Sequence, residues 1–447
     1  MKKFFVSLSS NSRGGRLKIN ILSGIALKGV SLALSFIFVP LVLSYLTSYK
    51  YGIWLTLNSV VSWFSMMDIG MAGGLRLKLQ ETLAKKDWIT SKEYISSTYT
   101  LLLYISLACM IIFVSIVLLT DINYASFFKV NNSYNTELRT ILIITIICFF
   151  SRFTLQPISV ILQADQRDYF QSFMMLMEQL LNVIGIIIIN SFTKGSLLYA
   201  SILFALTPLV NLSLFSVLLF SNRYKYIRPQ LLYIKKECTK PLLDIGFNIF
   251  ITSLSMIFIV QFNNILIVKF YTPDDVTIYN LLIKVFGSVS AFYILLISPL
   301  WSAFGNAYAC NDLNWIKRVF KKVFKLFYIF LLAYCVLIIL SPSIFKLWTR
   351  IEINDYVLIS FCGTYFMLQN IESTYAYLFN GTGRKKYVIL QRNMMIYGAL
   401  VNIPLIILFS GYFGLGLYAV FLANLSALIP RTIIYFYKGS KLLNNGL

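Results

Sequence analysis

Histidine is missing altogether from the 447 residues, and acidic side chains number only 17 against 39 lysines and arginines. The first absence removes the usual metal ligand and the side chain that titrates most readily near neutral pH. A proton-dependent step would therefore need a carboxylate whose pKa burial has raised. Charge of either sign is scarce: charged residues make up 13% of the chain, where a soluble protein carries roughly 25%. Cysteines number six, and Cys109, Cys148, Cys335 and Cys362 fall in apolar runs while Cys238 and Cys310 fall in hydrophilic joints. No disulfide framework is implied. No pair of carboxylates stands out in a loop as glycosyl chemistry requires, and no hydrophilic stretch is long enough for a soluble domain.

What the chain has is apolar length. Hydrophobic side chains make up 58% of it, and runs of the roughly 20 residues needed to cross a bilayer can be laid down twelve times. The spans are predicted near 17–46, 51–72, 94–119, 138–164, 169–190, 196–220, 242–270, 278–304, 323–340, 356–379, 387–410 and 414–437. The expected class is an all-α polytopic membrane protein. The basic N-terminal segment resembles the start of a signal peptide, but the apolar run after it is too long and lacks a small-residue cleavage site.

The net charge of +22 does not point to nucleic acid, because Lys and Arg are scattered over many joints and form no continuous basic domain. Their distribution sets orientation instead. With a cytoplasmic N-terminus, inside joints hold 27 of the 39 basic residues and outside joints seven, leaving five within spans. The positive-inside rule then places both termini in the cytoplasm.

The two halves echo each other at offsets of 218 to 228 residues. LTSYKYGIWLTL (46–57) is echoed by YTPDDVTIYNLL (271–282), KKDWITSKEY (85–94) by NDLNWIKRVF (311–320), DQRDYFQSFMM (165–175) by TGRKKYVILQRNMM (382–395), and GSLLYAS (195–201) by GLGLYAV (414–420). Four matches in one order indicate duplication. Six spans per half keep both halves in the same orientation, which gives two parallel-repeat lobes with a cleft between them. The division expected is a lobe over 1–220, a cytoplasmic linker over 221–241 and a second lobe over 242–447. The linker is the longest basic joint and reads as a partly amphipathic strap lying near anionic lipid.

Polar groups inside the spans mark the faces turned away from lipid. Arg152, Gln156, Ser159 and Gln163 fall on one stripe of the fourth span, where Pro157 can kink the helix. Similar alignments join Lys28, Ser31 and Ser35; Asp244, Asn248, Thr252 and Ser255; Asn280, Lys284 and Ser288; and Gln369, Ser373 and Asn380 flanking Glu372; the fifth span has Gln171, Glu178 and Asn182. Lys28 lies eleven residues past Leu17, about 16 Å along a helix rising 1.5 Å per residue, and Arg152 is about equally central. Lys284 and Arg392 lie six and five residues inside their predicted spans, within snorkelling reach of the headgroups. These four cations are candidates to line a cavity for an anionic headgroup. The alternative is internal ion pairing with Glu178 or Glu372. Gln156, Gln163, Asn248 and Gln369 are candidate polar lining.

At the end of the second span, MMDIGMAGGLRLKLQ (66–80) places Gly70, Gly73 and Gly74 where a helix must end or bend, and Arg76 and Lys78 at the inner leaflet. Asp68 would cap or pair with that cluster. It joins Glu178 and Glu372 as a candidate for ion coupling, with H+ or Na+ as the coupled ion.

YGIW (51–54), DIG (68–70), GGLRLKL (73–79) and EY followed by Ser and Thr (93–98) resemble the start of Wzx-type polysaccharide flippases, the O-antigen and capsule transporters of the multidrug/oligosaccharidyl-lipid/polysaccharide (MOP) exporter superfamily. The likeness in wording covers about the first hundred residues; the twelve-span plan fits the whole chain. The resemblance implies a transporter rather than an enzyme, with no cofactor. It carries undecaprenyl-pyrophosphate-linked oligosaccharide repeat units across the bacterial cytoplasmic membrane by alternating access. Its implied partners are the phospholipid membrane and the polysaccharide polymerase and chain-length machinery. The alternatives are a MATE-type drug or cation exporter of the same fold, which would need an acidic cavity, export of another anionic-lipid precursor, and, from a different class, a membrane-embedded polysaccharide polymerase.

Overall fold

The structure is a computed structural model that describes residues 13–64, 71–120, 122–127, 132–165, 167–193, 195–235, 237–238, 262–298, 300–309, 312–382 and 384–445. The chain divides into two compact units, Met1–Ser253 and Leu254–Leu447.

Unit 1 holds α1 (Arg13–Tyr45), α2 (Ser48–Phe64), α3 (Met71–Ala84), α4 (Trp88–Leu119), α5 (Asn135–Leu155), α6 (Pro157–Ala164), α7 (Asp168–Phe192) and α8 (Leu197–Ser221). Local chemistry sets several of these boundaries. Asp87 caps α4 by accepting from the Thr90 amide at 3.1 Å, and Ser196 caps α8 by accepting from the Tyr199 amide at 3.3 Å. The joint before α8 turns at Gly195, whose φ of +63° falls in the left-handed region that costs a side chain least when there is none. The Gly195 carbonyl accepts from Lys50 Nζ at 2.5 Å, and the Tyr45 hydroxyl lies 2.7 Å from Thr193 Oγ1. Those bonds fasten the α1–α2 joint to the α7–α8 joint. Along the bundle α1 packs on α7, while α5 packs on α4 and α8. At one end Leu75, Leu79, Ile95, Ile158, Ile161, Leu162 and Phe220 form a shared core under α3, α4, α6 and α8.

Unit 2 holds α9 (Phe262–Phe270), α10 (Pro273–Ile297), α11 (Leu300–Ala309), α12 (Leu313–Thr349), α13 (Tyr356–Thr382), α14 (Lys385–Ile407), a π-type turn at Leu408–Tyr412, and α15 (Tyr418–Asn445). Thr272 and Asp275 form a capping box around Pro273, the first residue of α10. Asp312 caps α12. At the centre lies α13, packed against α10, α11, α12 and α15.

Among the described residues eight helices are long and apolar enough to cross a bilayer, and the chain is a multi-pass membrane protein. The second expected span, 51–72, is described to Phe64 and again from Met71. Two differences from the sequence reading have identifiable causes. The helix expected over 323–340 runs from Leu313 to Thr349, because the Asp312 cap starts it early and Lys317, Arg318, Lys321, Lys322 and Lys325 are good helix formers. The tenth expected span, α13, falls outside the eight. Its Gln369, Asn370, Glu372, Ser373 and Thr374 lower its mean hydropathy, and the surrounding helices cover that segment, leaving Asn370, Glu372 and Thr374 buried. The seventh expected span, 242–270, is described only from Phe262, so Asn248 lies outside the described residues, as does Asp68.

Candidate functional site

In unit 1, α2, α5 and α8 line a small, part-open cleft. Trp54, Phe149 and Phe204 supply aromatic walls, Asn58, Thr145 and Ser201 supply polar ones, and Arg152 supplies the only charged side chain of the lining. Arg152 arrives there because it closes α5: Gln156 follows the helix end, and Pro157 restarts the chain as α6. The stripe Arg152, Gln156, Ser159 and Gln163 is therefore shared between two helices. Gln163 leaves the cleft for a different role, donating to Gln171 Oε1 at 2.7 Å across the α6–α7 joint.

One guanidinium nitrogen of Arg152 stands 3.9 Å from Glu178 Oε2 on α7, outside hydrogen-bonding distance, and the Arg152 side chain remains 46% exposed. Glu178 is 25% exposed. On the same helix, Gln179 accepts from Ser31 of α1 at 2.7 Å. The loose contact leaves guanidinium donors unsatisfied and facing open space, where a carboxylate or phosphate oxygen can be bound. Lys28 belongs to α1, and its side chain lies outside the described residues.

Unit 2 treats its carboxylate differently. Glu372 on α13 and Arg431 on α15 are 9% and 10% exposed, with the Arg431 Nη2 and Nε atoms 2.5 and 3.1 Å from one carboxylate oxygen. Both bonds to one oxygen make a tight, charge-assisted pair inside the unit. Adjacent turns of α13 extend the polar interior: Ser290 donates to Asn370 at 2.5 Å, Asn370 donates to the Tyr334 hydroxyl at 3.1 Å, and the Tyr293 hydroxyl lies 2.6 Å from Thr374. Five asparagines and a tyrosine join α9, α10, α14 and α15. Asn263 donates to Tyr279 at 2.8 Å, Asn402 to Asn424 at 2.6 Å and Asn280 to Asn264 at 2.9 Å.

Lys284 has no such partner. It sits eleven residues into α10, counted from Pro273, about 16 Å along the helix axis. The helix starts ahead of the apolar run from which the sequence reading counted six residues, because its first turn carries Asp274 and Asp275. It is half-buried, and among the described residues no carboxylate lies within 4.0 Å of its ammonium group. Arg392, by contrast, is exposed on α14 and hydrogen-bonds only its neighbour Asn393, at 3.4 Å. That placement suits snorkelling. Gln369 is partly buried, and the bonds of this segment are made by Asn370, one residue round the helix.

Arg431 is the functional-class residue that the stripe reading left unnamed. It lies thirteen residues past Tyr418 at the start of α15, so the depth argument used for Lys28 would have found it. Among the described residues no group of three or more His, Cys, Asp or Glu side chains is placed to hold a metal ion.

No protein-family model matches the chain, and no curated protein does. Solved structures do. A multidrug-resistance MATE-family transporter of the MOP superfamily in an inward-facing conformation superposes with a TM-score of 0.73 at 16% identity, covering 95% of this chain and 98% of its own. An outward-facing MATE-family structure gives a TM-score of 0.61 at 15% identity over 96% and 95% of the two chains. A MOP-superfamily transporter from Pyrococcus furiosus, described as having a binding pocket of reversed polarity that suggests a different function, gives 0.58 at 17% identity over 96% and 95%. The chain has the fold of these transporters. That fold covers nearly its whole length.

Proposed function

We propose that the protein is a flippase that moves undecaprenyl-pyrophosphate-linked oligosaccharide repeat units across the bacterial cytoplasmic membrane by alternating access. One observation carries the choice of an anionic cargo. Away from the helix ends, the described carboxylates of the membrane helices, Glu178 and Glu372, each stand opposite an arginine, while Lys284 has no counter-charge among the described residues. The described interior therefore carries an unmatched positive charge. An exporter of organic cations needs the opposite balance. A Pyrococcus furiosus transporter of the same fold is described as having a binding pocket of reversed polarity that suggests a different function, which is in keeping with a cargo other than an organic cation.

The chemistry follows from where the cations sit. Arg152 offers paired donors that match two phosphate oxygens at once, and Lys284 offers a point charge. Aromatic walls of the kind formed by Trp54, Phe149 and Phe204 give flat apolar surface against sugar rings, while Asn58, Thr145 and Ser201 give hydrogen-bonding groups for hydroxyls. The polyprenyl chain stays in lipid. Conversion between two openings of the lobes moves the headgroup, and Glu178 is the carboxylate on which H+ or Na+ coupling would act, because its arginine is held only loosely.

The test is deletion of the gene in its native host with analysis of lipid-linked intermediates. Repeat units should accumulate on the cytoplasmic leaflet. Accumulation of unpolymerised units on the outer leaflet would favour a polymerase instead.

A further inference from the structure

The segment after α8 is fastened to unit 1 along its length. Arg223 donates to Asp165 from two nitrogens at 3.1 and 3.2 Å, and the Tyr224 hydroxyl donates to the same oxygen at 2.9 Å. Farther on, the first turns of α4 hold the chain: Ser96 Oγ accepts from the Gln230 amide at 3.0 Å, Ser97 Oγ accepts from the Lys235 amide at 3.0 Å, and Glu93 pairs with Lys235 at 2.7 Å. Lys92 of the same helix sits 4.1 Å from the centre of the Tyr233 ring. Ile227 and Cys238 face inward and are buried.

This docking leaves an apolar edge unused. Tyr226, Leu231 and Leu232 are 78%, 83% and 90% exposed, although a short helical turn at Leu231–Tyr233 holds the two leucines in place. Trp88 and Ile89 are also exposed, one turn before Lys92 and Glu93 on the same face of α4. The exposed apolar surface of α8 continues toward the strap through Leu214, Val217 and Leu218. Lys225 and Arg228 stand among these residues, exposed and without a carboxylate partner among the described residues. Apolar side chains with interspersed unpaired cations next to the end of a membrane helix match the chemistry of an anionic bilayer surface.

We propose that the strap 222–235 is an interfacial anchor, with Leu231, Leu232 and Tyr226 inserted below the headgroups of the adjoining leaflet and Lys225 and Arg228 paired with anionic lipid phosphates. The clasp to α4 makes the anchor part of unit 1. Unit 1 is thereby referenced to the membrane plane at the point where the chain leaves it.

The test uses the full chain in vesicles, with native cysteines replaced by alanine and a nitroxide at Leu232→Cys. Collision with oxygen and with a water-soluble nickel chelate is measured by power saturation. We expect oxygen contact to exceed chelate contact several-fold, and this excess to fall when Lys225→Glu and Arg228→Glu are added in vesicles containing phosphatidylglycerol. Greater access for the chelate overturns the anchor, as does low access to both agents, which would mean that protein covers the strap. An oxygen excess unaltered by the two glutamates overturns the pairing with anionic lipid.

Discussion

Arg431 holds Glu372 by two bonds to a single oxygen, 2.5 and 3.1 Å long, inside unit 2 and across the α13–α15 contact. A pair buried this far stabilises only while both members are present, since removal of one strands the other charge without water. Arg431→Ala should cost about 3–5 kcal/mol, read as a marked fall in the thermal midpoint of the detergent-solubilised protein. The double variant Glu372→Leu with Arg431→Met should recover most of that loss. A destabilised double variant would show that the pair contributes beyond cancelling its own charges.

Lys284 should behave in the opposite way, because no carboxylate is stranded by its removal. Lys284→Ala should leave folding within a few tenths of a kcal/mol of wild type or better, since a half-buried cation is relieved. Transport should fall at least tenfold, equivalent to about 1.4 kcal/mol of lost interaction. Lys284→Arg should retain more transport than Lys284→Ala, and Lys284→Glu should retain least. The measurement is lipid-linked sugar export at matched protein level.

At Arg152 the two-donor geometry matters as well as the charge. Arg152→Lys should therefore reduce transport as Arg152→Ala does, though less severely. Glu178→Gln should leave binding intact while altering the dependence of transport on the ion gradient. Equal gradient dependence in wild type and Glu178→Gln would remove Glu178 from coupling.

The strap clasp has a chemical reporter in Cys238. Burial pushes its thiol up, and the Glu93 carboxylate pushes it in the same direction. A raised thiol holds less thiolate at pH 7–8, so maleimide should label Cys238 slowly. Releasing the clasp with Glu93→Gln should lower that pKa and open access, speeding labelling several-fold. Unchanged labelling would mean that the strap stays docked without that contact.

Membrane class and most helix positions were legible because apolar run length and basic joints act one residue at a time and need no tertiary information. The kink at Pro157 was legible for the same reason: a missing amide is a local fact. Partner choice was not. The stripe through Arg152 suggested one continuous face, but the break after Gln156 turns Gln163 toward Gln171. Helix length was not fully legible either: the Thr272–Asp275 capping box begins α10 before hydrophobicity rises, so Lys284 lies farther along the helix than along the apolar run. Arg431 and Asn370 gained their roles from helices distant in sequence, and no periodicity within α13 or α15 specifies which helix will pack beside it.

The most direct measurement is transbilayer movement of a fluorescent polyprenyl-pyrophosphate oligosaccharide in vesicles containing the purified protein, with an organic cation assayed in parallel. We expect the anionic lipid to move in wild type, to slow at least tenfold in Lys284→Ala and to be inhibited by free pyrophosphate, while the cation is not transported. Extrusion of the cation by wild type and by Lys284→Ala alike, with no movement of the lipid, would contradict an anion-receiving interior.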